Sequence, residues 1–121
     1  MAYDEELADR VRAVLAGESG TGERRMFGGL CFLKDGKMTV GITGDELMVR
    51  VGPAAHDEAL AQPGARVMDF TGRPMRGFVY VAAEALRDDD ALAGWVRRGL
   101  SGAQDAPPKR ARRPWAPRRR A

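Results

Sequence analysis

Two alternating apolar runs punctuated by glycine–aspartate pairs constrain this chain more than any other feature. Met38, Val40 and Ile42 alternate with Thr39, Gly41 and Thr43, and Leu47, Val49 and Val51 alternate with Met48 and Arg50. Period two is the pattern of a half-buried strand. Asp35-Gly36 and Gly44-Asp45 fall between the runs, and such pairs supply the positive φ angles that two-residue hairpin turns require. The centre of the chain therefore reads as an antiparallel meander over residues 29–34, 37–43 and 46–51, with residues 23–27 adding a further strand.

Helical periodicity brackets the meander. Leu7, Val11, Val14 and Leu15 recur at helical spacing between Asp4 and Leu15, with acids in the first turn where the helix dipole favours them. Pro53 is placed to open a short helix through Gln62, ended by Pro63-Gly64. Residues 67–70 and 78–81 read as two more strands around the turn-rich Thr71-Gly72-Arg73-Pro74. Asp88, Asp89 and Asp90 offer an N-cap and favourable charge to a last helix with Leu92, Trp95, Val96 and Leu100 inward, and Gly99 and Gly102 weaken its end. The fold class is α+β: a meander sheet of five to six strands with N- and C-terminal helices.

At 121 residues there is room for one core, and 44% hydrophobic with 31% charged residues is ordinary globular composition. Pro107-Pro108 marks a boundary, which divides the chain into a domain over 1–105 and a basic, disordered tail over 106–121. The net charge of +3 conceals two unlike parts. Of the 20 Lys and Arg, seven (Lys109, Arg110, Arg112, Arg113, Arg118, Arg119 and Arg120) lie in the tail with no acid, leaving 13 against all 17 acids in the body. The body is mildly acidic, and any attraction to polyanions belongs to the tail. No apolar run approaches the roughly 20 residues that span a bilayer, and the acidic start Asp4-Glu5-Glu6 is unlike a secretory signal, so the expected location is cytoplasmic with no membrane partner.

The chain is poor in groups that move protons, hold metals or attack carbon. One histidine, His56, sits beside Asp57 and Glu58 and reads as a surface residue; one cysteine, Cys31, among Leu30, Phe32 and Leu33, reads as core. Neither builds a metal site, no calcium-loop spacing is present, and no cofactor is expected. Phe27-Gly28-Gly29 beside Arg24 and Arg25 reads first as a bulge or tight bend. As a candidate contact it would let amides and guanidinium groups meet an anion or a partner, joined by Arg73 and Arg76 if the second glycine-rich turn lies nearby. The outward side of the meander, with Thr39, Thr43, Met48 and Arg50, is either roofed by a helix or open to a partner, a second copy included.

Three stretches, Arg24-Arg25-Met26-Phe27-Gly28-Gly29-Leu30, Gly44-Asp45-Glu46-Leu47-Met48-Val49-Arg50-Val51-Gly52 and Phe70-Thr71-Gly72-Arg73-Pro74-Met75-Arg76-Gly77, occur in an order that resembles the N-terminal domain of the TfoX/Sxy family, bacterial proteins named after a regulator of natural competence. The resemblance covers residue 1 to about 103. It implies a two-layer sandwich similar in outline to secretion-chaperone-like folds. Regulators of that family carry a second, helical domain after this one, where this sequence has the basic tail, so the competence role does not follow.

The expected function is a non-enzymatic regulatory or protein-binding module. The alternative is a nucleic-acid accessory protein acting through Lys109, Arg110, Arg112, Arg113, Arg118, Arg119 and Arg120, with Trp115 stacking on a base. A chain with 17 Arg and 3 Lys also acquires such a tail from composition alone. An enzyme using its arginines around a small anion is the third and weakest reading.

Overall fold

The structure, a computed structural model, describes residues 3–26, 28–70 and 73–105, with side chains omitted at 26, 68–70, 73–76 and 105. Helix α1 (Glu5–Leu15) is followed by β1 (Thr21–Met26), β2 (Gly29–Lys34), β3 (Lys37–Thr43), β4 (Glu46–Arg50), α2 (His56–Leu60), β5 (Ala65–Phe70), β6 (Arg73–Val81), a 3-10 turn (Ala83–Leu86) and α3 (Asp89–Asp105). The six strands form one antiparallel sheet in the order β1-β2-β3-β4-β6-β5. The α+β sandwich expected from the sequence is the fold observed.

Local chemistry places each element. Asp4 caps α1, its Oδ1 accepting from the amides of Glu6 at 2.9 Å and Leu7 at 3.2 Å. Asp35 and Gly36 take φ of 53° and 83°, the paired left-handed conformation of the β2–β3 turn, and Gly44 takes 60° between β3 and β4. Leu7, Val11 and Leu15 of α1, Ala59 of α2, Leu86 of the 3-10 turn and Leu92, Trp95 and Val96 of α3 join one core with Val40, Ile42, Leu47, Val49, Val79 and Val81 of the sheet. Every helical element thus packs on the same sheet face.

The closest helix–sheet approach is made by glycines. A Cβ on Gly99 would run into the Thr39 carbonyl and the Val40 side chain, and one on Gly102 into the Arg50 carbonyl and the backbone of Val51. These residues lie inside α3 and let it settle on the backbones of β3 and β4; they do not weaken its end, as the sequence pattern suggested. Gly94, on the same helix, has nothing within 4 Å of its Cβ position.

Three further expectations need correction. Thr39 does not face outward: the register slips between Phe32 and Leu33, a bulge that turns its side chain toward Gly99 of α3. Pro53 does not open α2, which starts at His56. Nor is His56 a surface residue. It is 7% exposed, and its Nδ1 accepts the Gly77 amide at 3.0 Å, which places the ring proton on Nε2. Gly77, at φ 93°, in turn accepts from the amides of Val51 at 2.8 Å and Gly52 at 3.0 Å. His56 is the centre of a clamp between the end of β4 and the kink in β6.

The two kinds of glycine predict opposite outcomes on one helix. Gly94→Ala gains about 0.5–1 kcal/mol from helix propensity, whereas Gly102→Ala loses about 1–3 kcal/mol by forcing α3 off the sheet; urea midpoints of the two variants check this. His56→Ala strands the Gly77 amide in a buried corner and costs about 1–3 kcal/mol. The measurements are the urea midpoint and faster amide exchange at Gly77, and an unchanged midpoint contradicts the clamp.

Candidate functional site

Because every described helix sits on one side, the other side of the sheet is built, among the described residues, by strands alone. In register across it run Arg24, Cys31, Gly41, Met48, Tyr80 and Arg66, and beside that row Arg50 pairs with Phe78. Cys31 and Met48 are fully buried at its centre, with Met38, Phe78 and Tyr80 half-buried around them. Burial in this apolar floor pushes the Cys31 thiol above its usual range, which keeps it protonated and unreactive. Gly41 leaves the space that the Met48 methyl fills.

Guanidinium groups lie over the aromatic rings. That of Arg66 is 4.6 Å from the centre of the Tyr80 ring and is also paired with Glu46, at 2.5 Å. That of Arg50 is 5.4 Å from the Phe78 ring, and its Nη1 donates to the Met38 carbonyl at 3.3 Å. Desolvation pulls its pKa below the ordinary arginine value. Among the described residues no carboxylate pairs with Arg50 or with Arg24. The other half-buried arginines differ: Arg10 meets Asp89 at 2.9 Å, and Arg98 holds Glu58 through two bonds of 2.7 and 3.0 Å.

The helix side carries a shallow apolar notch of about 290 Å³ between the end of α2 and α3, lined by Gln62, Pro63, Ala85, Ala91, Gly94, Trp95 and Arg98. Arg98, at its rim, is paired with Glu58 and has its guanidinium 5.1 Å from the Trp95 ring. That pairing lowers the Glu58 pKa and raises that of Arg98. No group of three or more His, Cys, Asp or Glu among the described residues is placed to hold a metal ion, and no described helix is long and apolar enough to cross a membrane.

The residues singled out in the sequence are spread apart. Arg24 and Arg25 are exposed on β1, at one edge of the sheet; in register with Cys31 and Leu30 they point to opposite faces. Gly28 takes φ 73° at the bend into β2, and Gly29 lies so near the Ile42 carbonyl that a Cβ would not fit, which is the bend the sequence suggested. Arg73 and Arg76 are on β6, four strand positions from β1, or about 19 Å along the sheet. The backbone therefore does not gather the two glycine–arginine segments into one corner. Phe27 lies outside the described residues, as do Lys109, Arg110, Arg112, Arg113, Trp115, Arg118, Arg119 and Arg120 of the tail.

Met38, Phe78, Tyr80 and Arg66 were missed as site residues. For Phe78, Tyr80 and Arg66 the available signal was parity, since each falls on the side of Met48 and Arg50 once the register is known; Met38, which alternation groups with Val40 and Ile42, reaches that side only through the bulge at Thr39.

No curated protein matches the chain. Residues 13–103 match the family model described as the TfoX N-terminal domain, a span from the last turn of α1 almost to the end of α3 that contains the whole sheet. The chain belongs to the TfoX N-terminal domain family.

Proposed function

We propose that this domain is a non-enzymatic recognition module of the cytoplasm that binds a protein partner through its helix-free sheet face, in a regulatory setting of the kind its family name implies. The observation that carries this reading is the composition of that face. Methionine, aromatic residues and arginine are the types enriched in the buried centres of protein interfaces, and here Met38, Phe78, Tyr80 and Arg50 adjoin on a surface that no helix covers. Arg24 sits at its border on β1. Arg25, Phe27, Gly28, Gly29, Arg73 and Arg76 remain candidate contacts from the sequence alone.

The test is retention of a specific protein from the native cytoplasm by the full chain. Tyr80→Asp should abolish retention while leaving the urea midpoint within about 1 kcal/mol of the parent, and Arg97→Asp, an exposed change on α3, should leave retention intact. Equal retention by the Tyr80 variant overturns the assignment of this face.

The separation of charge between body and tail supports a second reading, nucleic-acid binding through residues 109–121. Seven cations that displace counterions predict an affinity for DNA falling roughly 10²- to 10⁴-fold between 50 and 200 mM salt. Truncation after Pro108 should remove that affinity, and a truncated body that binds DNA equally well rules the tail out.

A further inference from the structure

The sign of the charge on the helix-free face is opposite to that of the body. The first turns of the helices hold Glu5 and Glu6, Asp57 and Glu58, and Asp89 and Asp90, all in elements packed on the other side of the sheet. Among the described residues the free face carries Arg24, Arg50 and Arg66 against a single neutralising acid, Glu46, which is taken by Arg66. What remains is two guanidinium groups without a carboxylate beside an apolar floor.

Arg50 is the more informative of the two. An arginine does not shed its charge when half-buried, so the desolvation is borne until an anion arrives. One of its five N–H donors is used, on a neutral carbonyl, among the described residues. Its plane is held over Phe78, which fixes the direction in which a carboxylate approaches, and Met38 and Phe78 lie beside it to accept an apolar side chain. Arg24 lies three strands away and about two residues off in register, roughly 16 Å at ordinary strand spacing.

Charge decides among the occupants. The tail has the same sign as the face, and a second copy applied face to face would oppose guanidinium to guanidinium. A nucleic acid would engage a row of cations, whereas among the described residues two stand unpaired here, and one of them is half withdrawn from water.

We propose that the helix-free face receives an acidic protein segment, with one carboxylate on Arg50, an apolar side chain on Met38 and Phe78, and a second acid reaching Arg24 about five residues away along an extended backbone. This rests on the reading of the face as a partner surface and names the chemistry of the partner.

The experiment uses the full chain labelled at its methionine methyls, observed by NMR. Three synthetic peptides of about twelve residues alternate Leu or Phe with, in turn, Asp and Glu, Asn and Gln, or Lys; a thymidine oligonucleotide of similar length is the fourth probe. The acidic peptide should shift the Met38 and Met48 methyl signals, and both the Asn/Gln peptide and the Arg50→Gln variant should weaken that response roughly 10- to 100-fold. Arg97→Gln should not change it. Equal response to the acidic and the Asn/Gln peptides overturns acidic recognition and leaves the partner face standing. If no peptide moves these signals, or if the oligonucleotide moves them at lower concentration than the acidic peptide, the inference is wrong. The methyl readout separates binding at this face from attraction of the acidic peptide to the basic tail.

Discussion

Backbone-to-backbone contact between α3 and the middle of the sheet is the constraint from which the rest follows. Gly99 and Gly102 bring the helix against the carbonyls of Thr39 and Arg50, closer than any side chain would allow. With α3 seated over β3 and β4, α1 lies beside it and α2 fits against β5 and β6. The apolar stripes of all three helices are used on one side, and no described helix is left for the other. A sheet of this kind has either to make its second face polar or to use it for binding.

This protein does neither completely. The free face keeps a small apolar centre, Cys31 and Met48, and covers it with long side chains: Met38, two aromatic rings, and the arginines lying over them. Such side chains screen apolar surface from water while remaining able to move aside, which is how arginine and methionine behave at adaptable surfaces. Among the described residues the large exposed hydrophobic is Val67, at 42%, on the edge strand β5, so the resting surface is not sticky. On the proposed reading, the arrangement resists non-specific association and still offers anchors to a partner that brings the right charge.

Much of the fold was legible because its determinants are local. The turns at Asp35-Gly36 and Gly44-Asp45, the strands they separate and the stripes of α1 and α3 are fixed by spacing and by backbone conformation at a few residues. The errors share one cause, which is that the decisive contact is distant in sequence. Gly99 reads as a helix breaker until β3 is laid against it. His56 reads as polar surface because its partner amide is 21 residues away. Thr39 changes face because of one bulge that alternation does not reveal. That no described carboxylate meets Arg50 is a property of the assembled sheet, with β6 inserted between β4 and β5, and no local pattern records it.

The clamp and the candidate site are parts of one device. Gly77, held by His56 and by the amides of Val51 and Gly52, stands immediately before Phe78, and Val51 immediately follows Arg50. The two residues whose cation–ring contact defines the free face are thus paired in register beside this clamp. A guanidinium fixed in this way loses little further freedom when a carboxylate joins it, so less of the interaction energy is spent on ordering. The buried imidazole therefore has a role that proton transfer does not require. It makes rigid the surface proposed for recognition, and this explains how a domain so poor in reactive side chains can still place one histidine where its ring nitrogen matters.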